Sequence, residues 1–125
     1  MGNVIAFPKN TRSQAVVHSP SSDALSFVRR RKPKGAGFDY WSISPSGNYT
    51  ADCEAGRLLA VEYLAFIGNY PTVGNATLLN CIVHDMIEHT KSGNDWSGVH
   101  LGFIRTINEC AMAAVVKLKA GDNRE

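Results

Sequence analysis

Six consecutive residues, His84-Asp85-Met86-Ile87-Glu88-His89, place two imidazoles and two carboxylates in one short stretch, a composition suited to holding a metal ion or moving protons. Spacing argues against both. A helical metalloprotease-like pair needs histidines four apart, whereas His84 and His89 are five apart and so diverge by roughly 140° around a helix. A di-iron arrangement would need Glu-x-x-His segments on two helices, and neither this stretch nor the later helix supplies them. The pairs that do share a face are Asp85 with His89 and His84 with Glu88. They are expected to be surface pairs, each stabilising the helix by about 0.2–0.5 kcal/mol. His84, Asp85, Glu88 and His89 therefore stand as weak metal candidates, and no cofactor is expected.

The thiols are the next reactive groups. Cys53, Cys81 and Cys110 make an odd number with no Cys-x-x-Cys or zinc-module spacing. The expectation is three small buried hydrophobes, with a thiol switch around Cys81, His84 and Glu88 as the competing idea. No Gly-x-Ser-x-Gly, Walker loop or Gly-x-Gly-x-x-Gly occurs, so no catalytic set is assigned. Gly98-Val99-His100-Leu101-Gly102 spaces two glycines four apart, which suits close helix packing better than anion binding. His100 beside them is a weak acid–base candidate.

A basic run, Arg29-Arg30-Arg31-Lys32-Pro33-Lys34-Gly35, carries the strongest local charge. Five cations in a mobile arm would meet phosphate, giving nonspecific nucleic-acid binding with a log–log salt slope near −4 to −5. An anionic lipid surface or an acidic protein would suit the same residues. The Lys-Pro-Lys-Gly portion resembles the core of an AT-hook, but the hook's arginine after the glycine is missing. The alternative is a solvated run that only keeps the chain soluble.

The elements that must position these groups divide the chain at Gly37. Residues 1–37 collect Pro8, Pro20 and Pro33 and read as a disordered basic tail, with a short helix from Ser22 to Arg31 as an option. Residues 38–121 read as an all-α domain, with helices at about 51–67, 75–91 and 97–120 forming a small three-helix bundle. Thr50 and Asn75 are the expected caps of the first two helices. Leu58, Leu59, Val61, Leu64, Phe66 and Ile67 mark the first helix as the most buried, and Gly56 and Ala60 open one side to a close neighbour. Leu79, Ile82, Val83 and Met86 stripe the second helix. Val99, Phe103, Ile107, Ala111, Ala114 and Leu118 stripe the third. The run Phe38-Asp39-Tyr40-Trp41-Ser42-Ile43 reads as an extended aromatic strap over the helices, without a partner strand.

Charge follows the same division. The chain's net +2 splits into +6 over residues 1–37 (seven basic, one acidic) and −4 over the remainder (six basic, ten acidic). A chain 44% hydrophobic and 19% charged excludes wholesale disorder, a collagen-like fibre and a coiled-coil rod. Pro8 and Lys9 stop the short apolar run Val4–Phe7, and Glu62 interrupts Leu58–Ile67, so neither a secretory signal nor a transmembrane segment is expected. With unpaired thiols, the expected compartment is the cytoplasm. The opening Asn3-Val4-Ile5-Ala6-Phe7-Pro8 resembles the Asn-Val-Ile-Pro-Phe start of many small bacterial proteins, with Ala6 replacing their proline. That resemblance covers only the tail and implies no activity. The expected function is a small bacterial interaction or regulatory protein, not an enzyme, that binds a protein partner and could form a homodimer. Nonspecific nucleic-acid binding through the tail is the alternative, and thiol- or metal-dependent chemistry on the second helix is a further one.

Overall fold

The computed structural model describes residues 18–93 and 95–122, and the protein is mainly helical. A 3-10 turn at Ser22–Ala24 leads into β1 (Arg29–Arg30), which pairs antiparallel with β2 (Phe38–Asp39), Arg29 opposite Asp39 and Arg30 opposite Phe38. Four helices follow: α1 (Tyr49–Asn69), α2 (Val73–Ala76), α3 (Leu78–Lys91) and α4 (Gly98–Asp122). Among the described residues, α1 and α4 are the two helices that pack closely along their length.

Glycine determines that packing. A β-carbon on Gly56 would collide with the Val99 carbonyl, and one on Gly102 would collide with the Cys53 carbonyl. One on Gly98 would sit 2.8 Å from the Tyr49 oxygen. Gly98 therefore faces Tyr49, Gly102 faces Cys53 and Phe103 lies against Gly56, so the helices ascend in parallel with their axes brought together by missing side chains. The buried stripe of α1 is Asp52, Gly56, Ala60, Tyr63 and Phe66, while Leu58 and Val61 are exposed. The first helix is thus amphipathic rather than buried all round. Its core face was obscured in sequence because small and aromatic residues, not the leucines, make it.

Trp41 centres the core. Its ring centroid lies 5.6 Å from that of Phe27, 5.2 Å from Phe103 and 5.4 Å from the His100 ring, and Tyr63 adds an edge at 5.8 Å from Phe103. Aromatic pairs at such separations contribute about 0.5–1.5 kcal/mol each beyond area burial. Leu78, Ile82 and Met86 of α3 close the same cluster. The aromatic strap is therefore a central layer of the fold rather than a cover, and α3 joins α1 and α4 chiefly by way of it.

The division at Gly37 does not hold over the described part of the tail. Leu25, Phe27 and Val28 are buried, and residues 18–37 belong to the packed body, whereas residues 1–17 lie outside the described residues. The optional helix over 22–31 is only a single 3-10 turn. The reason is that Phe27 must reach Trp41: its carbonyl accepts from Ser42 N–H at 2.9 Å, and Ser26 donates both its N–H and hydroxyl to Glu62 of α1. The aromatic segment does have a partner strand, and it is the basic run. Exposed arginines disguised that strand in the sequence.

Helix starts shift as well. Asn48, not Thr50, caps α1 through Ala51 N–H, and Thr72 caps α2 through Asn75 N–H. Asn75 instead donates to the Tyr70 carbonyl and the Ser19 hydroxyl. Buried Asp52 accepts from the Ser46 hydroxyl at 2.6 Å and from the Ser46 and Gly47 amides, fastening the preceding turn to α1. Those bonds, the Ser46 hydroxyl foremost, hold the Asp52 carboxyl below its ordinary range.

Candidate functional site

The two charged clusters of the sequence meet in space. Hairpin β1–β2 lies over α3, where the buried Asp85 carboxylate accepts the Tyr40 amide at 2.8 Å, lies 3.1 Å from His84 Nδ1 and pairs with Arg31 at 3.8 Å. Burial, with Cys81 and the Asp85 charge nearby, pushes the Tyr40 hydroxyl pKa up. Asp85 is thus a structural clamp, not a surface residue. Its expected partner His89 turns instead to Asp39, 2.9 Å away at the end of β2. His84 and Glu88 stand 4.0 Å apart on the exposed side. Among the described residues, no group of three or more His, Cys, Asp and Glu side chains is placed to hold a metal ion.

The basic run splits in role. Arg30 donates to Asp23 at 2.9 Å and to the Ser21 hydroxyl at 3.2 Å, with its guanidinium 5.1 Å from the Phe38 ring centroid. Arg31 donates to the Phe38 carbonyl and Arg29 to the Ser42 hydroxyl. Lys32 and Lys34 form no ion pair among the described residues. Arg30, Arg31, Lys32, Lys34 and Phe38 line a concavity of about 530 Å³. A second, smaller hollow of about 320 Å³ is lined by Arg31, Phe38, Cys81, His84 and Asp85 among others.

Ser97 and His100 open α4 with a reciprocal cap. The Ser97 hydroxyl accepts Val99 N–H at 3.2 Å, and Ser97 N–H donates to His100 Nδ1 at 2.9 Å. Histidine here plays the part glutamate plays in a capping box. Burial, with a smaller contribution from His89, lowers the His100 pKa. His100 Nε2 and Trp41 Nε1 are buried without a hydrogen-bond partner among the described residues.

The cysteines are not the buried hydrophobes expected. Cys53 and Cys81 are half-buried, Cys110 is exposed, and none is paired. Cys110 is exposed because α4 carries no burial beyond Ile107: every residue from Asn108 to Gly121 is exposed. Ala111, Ala114 and Leu118 therefore leave the stripe begun by Val99 and Phe103. Met112, Val115, Val116 and Leu118 are 59, 52, 67 and 68% exposed. Gly98–Gly121 is long and apolar enough to cross a bilayer by length and composition, although its first turns are buried against α1. This overturns the expectation of no transmembrane-length segment, which rests on the interrupted stretch Leu58–Ile67 and not on α4. A period-3.6 pattern gave no hint that the stripe loses its neighbour halfway.

No family model, curated protein or solved structure matches this chain.

Proposed function

We propose that the protein is an interaction module, without catalytic activity of its own, that docks on a protein partner through the apolar second half of α4. The observation that carries this reading is the unbroken exposure of Asn108–Gly121 with four large apolar side chains in it. Contiguous exposed apolar surface is a docking feature in soluble proteins. A helical segment of about 14 residues that is exposed throughout is also marginal in water, so a partner supplies the packing that the described body does not. An apolar helix laid into a partner's groove is the interaction mode that fits.

The body supports this role mechanically. The glycine-mediated crossing with α1 and the Ser97–His100 cap fix the first half of α4, which presents the second half at a set angle. Reading the compartment as cytoplasmic fits three unpaired thiols.

The test is a photo-crosslinking residue at position 116 in the full chain expressed in its native cells, with position 73 as control. Val73 is 89% exposed and lies on α2, outside α4. Crosslinking to one discrete protein from position 116 and not from 73 is the expected result. Crosslinks to lipid alone, or equal patterns from both positions, would refute partner docking by α4, and a crosslink to a second copy would identify the partner as the chain itself.

A further inference from the structure

We propose that the concave face of the β1–β2 hairpin binds a small phosphorylated molecule bearing two or more phosphates, a role independent of docking by α4. Four cationic side chains and one aromatic ring line the hollow, and no carboxylate does. The carboxylates that partner the arginines, Asp23 and Asp85, hold them without lining it. Their effect is to fix the guanidinium groups in place before any ligand arrives. Arg30 uses two of its five N–H donors on Asp23 and Ser21, and Arg31 uses one on the Phe38 carbonyl, so both keep donors to offer an oxyanion. A cation already held in its bound geometry loses little side-chain entropy on binding.

Lys32 and Lys34 complete the field. They flank Pro33 on the loop, and their ammonium groups have no ion pair among the described residues. Gly35 and Gly37, at φ +91° and +87°, carry the loop through left-handed backbone, and the space where a β-carbon would stand is open at both. The Ala36 amide bonds back to the Pro33 carbonyl and the Arg31 amide to the Gly37 carbonyl, so the loop is a closed structure and not a floppy arm. At about 530 Å³ the hollow falls within the range that accommodates small ligands.

The limited extent of the charge favours a compact ligand over a polymer. Elsewhere on the described body Arg57 pairs with Glu54, Lys91 with Glu88 and Arg105 with Glu109. Lys117 and Lys119 lie near the far end of α4. A nucleic-acid backbone would need a continued track of cations, and the described surface offers one loop.

Inorganic pyrophosphate titrated into the full-length protein at low salt, followed by amide NMR, tests the proposal. The expected result is 1:1 saturation with shifts concentrated in Arg30–Phe38. The double variant Lys32→Gln/Lys34→Gln should bind about tenfold or more weakly. Its thermal melt should be unchanged, since neither lysine is packed. Shifts absent at millimolar pyrophosphate, scattered over the surface, or unaltered in the variant would overturn the site. A short DNA duplex provides the second arm: binding with a log–log salt slope of about −4 to −5, as five phosphate contacts would give, would overturn the small-ligand reading in favour of a polymer.

Discussion

Ser97 N–H donates to His100 Nδ1 at 2.9 Å, and this bond fixes the proton of the neutral imidazole on Nε2. Protonation of His100 must therefore occur on Nδ1, which removes the acceptor and places a positive charge at the N-terminal end of α4, where the helix dipole disfavours it. The His100 pKa lies below 6.5 in the folded protein, chiefly through burial. The unfolded chain then takes up this proton first. Stability from His100 is complete above the unfolded value near 6.5 and declines as pH falls toward the lowered folded value. Trp96 stacks on the His100 ring at 4.3 Å, so its fluorescence reports the event. Urea unfolding between pH 7.5 and 5 should show the midpoint falling, with a smaller fall in His100→Gln. Equal falls would show that His100 does not carry the dependence. The Asp52 clamp would lose its contribution only at lower pH, through the carboxylate range near and below 3.8.

Gly56→Ala and Gly102→Ala each insert a methyl into an opposing backbone. Either should destabilise by about 3 kcal/mol or more, at or beyond the upper end of ordinary overpacking. Gly68→Ala, in α1 but with open space around it, should stabilise by about 0.5–1 kcal/mol through reduced chain entropy. Chemical denaturation of the three variants measures this contrast. Tolerance of alanine at 56 or 102 would mean that the α1–α4 crossing is looser than described.

Asp85→Ala leaves the Tyr40 amide without its acceptor and removes the carboxylate that pairs with Arg31. A fully buried donor stripped of its partner costs about 1–3 kcal/mol, and the Tyr40 amide is part-buried, so destabilisation of about 1 kcal/mol is expected. Hydrogen exchange should also accelerate at Tyr40 and across β1–β2. If exchange stays at the native rate, Asp85 is not the hairpin's anchor on α3.

The helical character and the three long helices were legible from apolar period and end signals, to within a few residues at each terminus. Gly56, Gly98 and Gly102 were also legible, because small residues four apart on a helix have few other uses. What stayed hidden depended on contacts distant in sequence. Phe27 belongs to the core only because Trp41 lies beside it, and nothing local separates a buried Phe-Val followed by arginines from a polar tail. Asp85 read as a surface partner of His89 because helical spacing is visible in sequence, whereas the Tyr40 amide 45 residues away is not. For α4 the sequence displayed a continuous stripe, but burial ends where the neighbouring element ends, which no single-helix pattern records.

Association through α4 is tested most directly by the double variant Met112→Glu/Val116→Glu in the full chain. Both side chains are exposed, so the body should melt as the wild type does. Quantitative co-purification from native cells, with wild type, this variant and Lys32→Gln/Lys34→Gln in parallel, is the measurement. One protein, or a second copy of the chain, should be retained by wild type and by the lysine variant but reduced about tenfold or more by the α4 variant, since buried apolar contacts of this kind are worth at least one 1.4 kcal/mol step. Retention of the same partner at the same yield by the α4 variant would contradict association through α4.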